Sequence, residues 1–165
     1  MPFPCAFPIP EIGPTGPAGP TGPTGSISLS YISVAAYFSQ TVDPNADVVF
    51  NIIGATNNAT FTVPSTITIG AAGDYEYEYG LVIQGPSVAA YTITIGGVPD
   101  IITPIYGSIQ TSGDAQMLVG QGIRSFAAGD PITLRNVGTT SNVLIAHIDS
   151  ALTNCAYLIL KRVGP

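Results

Sequence analysis

The sequence predicts an all-β protein: a jelly-roll sandwich preceded by a short collagen-like stalk and an extended N-terminal arm. Three observations carry that reading. Glycine returns at every third position as Gly13, Gly16, Gly19, Gly22 and Gly25, and proline follows each of the first four. Such phase is what a triple helix demands, because three polyproline-II strands wind so closely that only a hydrogen fits at the axis. Beyond residue 25 helical periodicity is nearly absent, and short β-branched and aromatic runs recur instead. Turn residues separate those runs at the spacing of a sandwich. The chain therefore divides into an arm over 1–12, a stalk over 13–25 and a head over 26–165. A triple helix requires three copies, so the expected particle is a homotrimer with the head as its trimerisation unit.

Composition bounds the function. At 165 residues the chain has room for one domain with a real core behind the stalk. Only 8% of residues are charged, against roughly 25% in an average soluble domain. The net charge is −6, and Thr, Ser, Asn and Gly take the place of the missing charges. Four basic residues, Arg124, Arg135, Lys161 and Arg162, cannot neutralise a nucleic-acid backbone, so nucleic acid is not an expected partner. No apolar run approaches the roughly 18 residues of a membrane span, so membrane insertion is not expected. The N-terminus lacks a basic region and is interrupted by Pro2, Pro4, Pro8 and Pro10, unlike a signal peptide. A surface-type protein without an export signal fits release by lysis of a mother cell.

Along the arm, Met1 to Ile12 alternates proline with apolar residues. Proline removes backbone donors and biases its predecessor to extended geometry, so the arm is read as extended. Phe3, Phe7 and Ile9 have no core of their own there, and Cys5 lies among them. These four are the candidate anchoring residues, docking into another subunit or another protein.

In the head, strands are expected over 34–40, 48–53, 59–63, 66–69, 75–83, 90–95, 101–105, 108–110, 116–120, 131–137, 143–149 and 156–162. Turn signals fall at Asp43-Pro44-Asn45, Gly96-Gly97, Ser112-Gly113-Asp114 and Ala128-Gly129-Asp130, among others. In Asp74-Tyr75-Glu76-Tyr77-Glu78-Tyr79 successive side chains face opposite sides. Tyr75, Tyr77 and Tyr79 thus share one face, suited to a core or a subunit interface, and the glutamates share the other.

With these residues in view, the chain resembles the collagen-like exosporium glycoproteins of spore-forming bacilli. Their heads are similar to those of complement's collagenous recognition subunit and tumour necrosis factor. The matching stretches are Ala71-Ala72-Gly73-Asp74-Tyr75-Glu76-Tyr77, the apolar strand from Tyr91 to Pro99, Phe126 to Leu134 with its Ala-Gly-Asp-Pro-Ile-Thr-Leu, and the closing strand Ala156 to Val163. Ile9-Pro10-Glu11-Ile12-Gly13-Pro14-Thr15 is similar to the family's exosporium-targeting leader. The resemblance implies a spore-surface location, and anchoring of the arm to a spore basal-layer or appendage protein. It also makes Thr15, Thr21 and Thr24, at the third position of their triplets, candidates for O-glycosylation. Two departures stand out: the collagen run is very short, and Cys5 is not part of the family pattern.

Other constellations are weaker than their simpler explanations. His147, Asp149 and Ser150 are the residue types of a hydrolase triad, but adjacency on one strand is not triad geometry, and a satisfied strand histidine accounts for them. Glu76 with Glu78, or Asp43 with Asp47, offers oxygen ligands without the spacing of a calcium loop, so no metal is expected. Gly120-Gln121-Gly122 and Gly96-Gly97 do not open helices, so phosphate-loop readings fail. Asn58-Ala59-Thr60 is a formal glycosylation sequon, to be ignored if the source is bacterial as the resemblance implies. Cys155 reads as a buried free thiol. No catalytic residue, cofactor or enzymatic activity is therefore expected. The function implied is structural and adhesive, with the head displayed on a spore. The alternatives are a receptor head for a carbohydrate or protein ligand, or a subunit or tip of a spore appendage fibre. A glycan array separates the first alternative from an inert coat, and fibre formation under non-reducing conditions separates the second.

Overall fold

The structure, a computed structural model, describes Gly13, residues 29–99 and residues 104–165. Every regular element among them is a strand. In chain order these are β1 (Tyr31–Ala36), β2 (Gln40–Val42), β3 (Ile52–Asn57), β4 (Ala59–Thr62), β5 (Thr66–Ile69), β6 (Gly73–Gln84), β7 (Ser87–Ile95) and β8 (Val98–Pro99). Then come β9 (Tyr106–Gln110), β10 (Ala115–Phe126), β11 (Pro131–Asn136), β12 (Asn142–Leu144), β13 (His147–Ile148), β14 (Ala151–Leu152) and β15 (Ala156–Arg162).

They form two packed antiparallel sheets. The larger runs β2-β12-β6-β15-β1-β3, with β10 on the free side of β6, and the smaller runs β4-β5-β11-β7-β8, with β9 also on β7. The centre of the larger sheet is β6, because alternation makes its odd residues one continuous buried stripe: Tyr75, Tyr77, Tyr79, Leu81 and Ile83. Beside it β1 contributes Ile32, Val34 and Ala36, and β15 contributes Leu158 and Leu160. The smaller sheet answers with Ile67, Ile69, Tyr91, Ile93, Ile132 and Leu134. Two inner faces that interdigitate in this way are the core of a sandwich.

Two of the turns require left-handed backbone. Gly96 and Gly97, at φ 60° and 77°, join β7 to β8, and glycine adopts that geometry without a Cβ penalty. Asp149 and Ser150, at φ 48° and 65°, make the same two-residue connection between β13 and β14.

Several expected strands are corrected. The expected 48–53 strand begins only at Ile52, although Val48 and Phe50 are buried. The amide of Val48 donates to Leu134 O at 2.8 Å and that of Phe50 to Pro64 O at 2.8 Å, so the segment serves two neighbours rather than one ladder. The expected 34–40 strand starts three residues earlier, at Tyr31, and ends at Ala36. The expected 143–149 strand breaks at Ile145 and Ala146, whose amides donate to Val82 O and Ser39 Oγ, and β13 ends at Ile148 because Asp149 and Ser150 are turn residues. Of the expected 101–105 strand, 101–103 lie outside the described residues, and Pro104 and Ile105 are irregular. The expected 116–120 strand runs on to Phe126, through Gly120 and Gly122. Rings from β6 explain this. A Cβ on Gly120 would stand 2.2 Å from Tyr79 Cζ, and one on Gly122 would stand 2.5 Å from the Tyr77 hydroxyl. Each tyrosine lies across the glycine opposite it, Tyr79 on Gly120 and Tyr77 on Gly122, replacing the packing that a glycine withholds from a sheet.

Candidate functional site: the outer face of the large sheet

The even residues of β6 point away from the core, and the register shows what they meet. One row across the sheet is Tyr31, Lys161, Glu76 and Ile123; the next is Ser33, Ile159, Glu78 and Gln121. A third is Ala35, Tyr157, Gly80 and Val119, followed by Val82 with Met117. A solvated face of an antiparallel sheet normally carries polar residues. Here Ile123 is 71% exposed, Met117 56% and Ile159 39%, on a surface where polar residues are plentiful.

Gly80 shapes the centre of that face. A Cβ there would lie 2.3 Å from Tyr157 Cε1 and 2.6 Å from Met117 Cε, so these two side chains close over the strand and flatten it. Next to them are two apolar hollows. One, of about 330 Å³, is lined by Leu29, Tyr31, Ser33, Ala55, Ile159 and Lys161. The other, of about 400 Å³, is lined by Ala35, Tyr37, Ile52, Gly54, Tyr157 and Ile159. Ser33 and Ile159 border both, making one groove along β1 and β15. The groove has a polar margin: Tyr157 donates its hydroxyl hydrogen to Glu78 Oε1 at 2.7 Å. Desolvation, with the Glu78 hydrogen bond and charge added, pushes the Tyr157 phenol up to about 12. A phenol in that setting stays protonated throughout the physiological range.

The residues singled out in the sequence fall elsewhere. Tyr75, Tyr77 and Tyr79 lie in the core, on the opposite face of β6. Tyr75 donates to Ser30 Oγ at 2.7 Å and Tyr79 to Tyr91 O at 2.8 Å. Burial raises the pKa of Tyr79, and also that of Tyr91. Of the triplet glycines only Gly13 is described, and it is exposed. Gly16, Gly19, Gly22 and Gly25, the threonines Thr15, Thr21 and Thr24, and the arm residues Phe3, Cys5, Phe7 and Ile9 lie outside the described residues.

The weaker constellations do not assemble either. His147 is exposed opposite Leu152, and Asp149 with Ser150 forms the turn beyond it. Asp47 grips Arg135 with both oxygens, Nε to Oδ1 at 2.7 Å and Nη2 to Oδ2 at 3.1 Å, which raises the arginine's pKa. Asp43 Oδ1 accepts from Ser141 at 2.7 Å instead. Among the described residues no three His, Cys, Asp or Glu side chains group as metal ligands. Cys155 is buried, with its thiol donating to Phe38 O at 3.0 Å, and burial raises its pKa.

Sequence reasoning placed Glu76 and Glu78 on the outer face but passed over its apolar residues. The signal was present in Ala156-Tyr157-Leu158-Ile159-Leu160, which is apolar at every position instead of at alternate ones. An unbroken apolar run marks a strand covered on both faces.

No protein-family model and no curated protein matches the chain. Solved structures do. The Eiger tumour necrosis factor of S. frugiperda superposes with a TM-score of 0.64 at 10% identity, covering 83% of this chain and 94% of that one. The globular domain of zebrafish complement 1qA gives 0.56 at 10% identity, covering 81% and 94%. Murine APRIL gives 0.56 at 9% identity, covering 82% and 99%. The head therefore has the jelly-roll fold that tumour necrosis factor and complement 1q heads share, with almost none of their sequence.

Proposed function

We propose that this chain is a homotrimeric structural protein of a spore's outer surface, in which the jelly-roll head assembles the trimer and displays itself on a collagen-like stalk. The observation that carries the reading is the apolar outer face of the large sheet. It belongs to the same chain as five glycines in triple-helical phase, a sequence that functions only as one of three strands. Leu29 lines the groove on that face two residues before β1, so a face shared between copies would bring three such chain segments together. The repeat is too short to hold alone, at about 35–40 Å for roughly 3 Å per residue. Tethering to an associated head raises the strands' effective concentration to about the millimolar range, which favours winding.

Location on the exosporium, anchoring through the arm to a basal-layer or appendage protein, and glycans on Thr15, Thr21 and Thr24 are proposals resting on the sequence resemblance. The reading is non-enzymatic, since the triad residues of the sequence do not converge. Light scattering on the head without residues 1–25 tests it. A trimer is expected, and a monomer at micromolar concentration would overturn it.

A further inference from the structure

At the end of the sandwich remote from the start of β1, the turn between β6 and β7 packs beside the end of β9 and the β11–β12 loop. Between them is a hollow of about 350 Å³ lined by Pro86, Ser87, Val88, Gln110, Thr140 and Ser141. That size lies within the roughly 300–1,000 Å³ of small-molecule sites. Its polar atoms are unusual. Gln110 is only 5% exposed, yet neither Oε1 nor Nε2 has a partner among the described residues. Ser87, its cross-strand neighbour, has a buried and unpartnered Oγ. Asn142 Oδ1 is also unpartnered, although its Nδ2 donates to Val88 O at 3.0 Å. Buried polar side chains are nearly always satisfied, because each was desolvated on folding. Two of these residues, Gln110 and Ser87, line the hollow side by side, and they mark a place where hydrogen bonds are left for something else.

We propose that this hollow binds a neutral sugar. The unpartnered lining groups offer donors and acceptors together: the Gln110 amide and the Ser87 hydroxyl. Thr140 and Ser141 donate their hydroxyl hydrogens to Val88 O and to Asp43, which leaves their lone pairs as acceptors. A ring bearing several hydroxyls matches that mixture, and its C–H face suits Pro86 and the half-exposed Val88. An anion is disfavoured, since the Asp43 carboxylate stands behind Ser141 and no lining residue is basic. Arg135 is engaged by Asp47, while Lys161 and Arg162 stand opposite Glu76 and Tyr75 in the strand register, at the other end of β6 from the hollow. A metal ion is disfavoured by the amide N–H groups. The register also places the site on display: β1 begins beside Lys161 and Glu76, whereas the hollow follows Gln84, at the other end of β6.

The full-length chain tests this by saturation-transfer NMR and calorimetry against D-glucose, D-galactose, D-mannose and N-acetyl-D-glucosamine, with sialic acid as the anionic comparison. At least one neutral sugar is expected to bind in preference to sialic acid. Gln110→Met, close in shape but without the amide, should weaken it at least about tenfold while melting no lower than the parent. Val88→Asp, at the exposed rim, supplies a second loss of binding should the first variant fold poorly. Binding of none of the neutral sugars, preference for sialic acid, or binding that both variants leave intact would overturn the site. Light scattering on the same samples keeps the outcomes apart, because a trimer that ignores sugars refutes the pocket and leaves the proposed assembly standing.

Discussion

At the scale of single residues, the two faces of β6 set the sharpest contrast in the molecule. Tyr77 is 1% exposed and lies across Gly122, while its neighbour Glu76 points outward beside Lys161 and Ile123. Tyr77→Ala removes a core ring and uncovers a strand glycine, so a loss of about 3–5 kcal/mol is expected in chemical denaturation. Glu76→Ala should cost under about 0.5 kcal/mol. Equal losses would mean that the faces are misassigned. Tyr157 yields a second expectation, in pH. Its phenol is raised to about 12 from an ordinary value of 10.0. Between those values the unfolded chain has lost the proton and the folded chain retains it, so stability falls as pH rises through that window. The contribution is fully present below pH 10, and Tyr157→Phe should flatten the fall above it. A stability curve of unchanged slope in that variant would mean that Tyr157 is not the group that titrates in this window.

At the scale of elements, legibility follows how many faces of a strand must be explained. The expected 131–137 and 156–162 strands coincide with β11 and β15 to within a residue, because apolar and β-branched residues fill them and turn residues bound them. The continuation of β10 through Gly120 and Gly122 was not legible, since what stabilises it lies on β6. The segment before β3 misled for the converse reason: Val48 and Phe50 fill the core without belonging to a ladder. The candidate association face was half legible, as an apolar run in β15 whose neighbours on β10 are separated from it by 30 or more positions. Its role is open to one substitution. Ile159 faces outward between Ser33 and Glu78, so Ile159→Asp places a charge in the groove without touching the core. In an assembled face that charge would be desolvated and unpaired. Sedimentation should therefore show monomers, with far-ultraviolet circular dichroism of the head unchanged. A variant that remains trimeric would move the interface to another face.

For the whole molecule, the head and the arm differ in the chemistry of their thiols. Cys155 is 0% exposed, donates to Phe38 O, and precedes β15 at the Ala36–Ala156 end of the sheet. Tyr31 is at the opposite end of β1 from Ala36, about 17 Å away at roughly 3.3 Å per residue, and Leu29 lies beyond it. A disulfide needs Cα atoms within about 7 Å, and a thiol whose pKa is raised by burial is a poor nucleophile. A wound stalk would hold Cys5 farther still from Cys155, by some 35 Å or more. Cys5 is then left to join neighbouring arms or an anchoring protein, and the apolar residues Phe3, Phe7 and Ile9 would bring it into that contact. Non-reducing electrophoresis of the parent, Cys5→Ser and Cys155→Ser proteins decides the matter. Covalent oligomers should disappear in the Cys5 variant and persist in the Cys155 variant. A Cys5–Cys155 peptide found by mass spectrometry in the parent would refute both the buried thiol's inertness and the extended stalk.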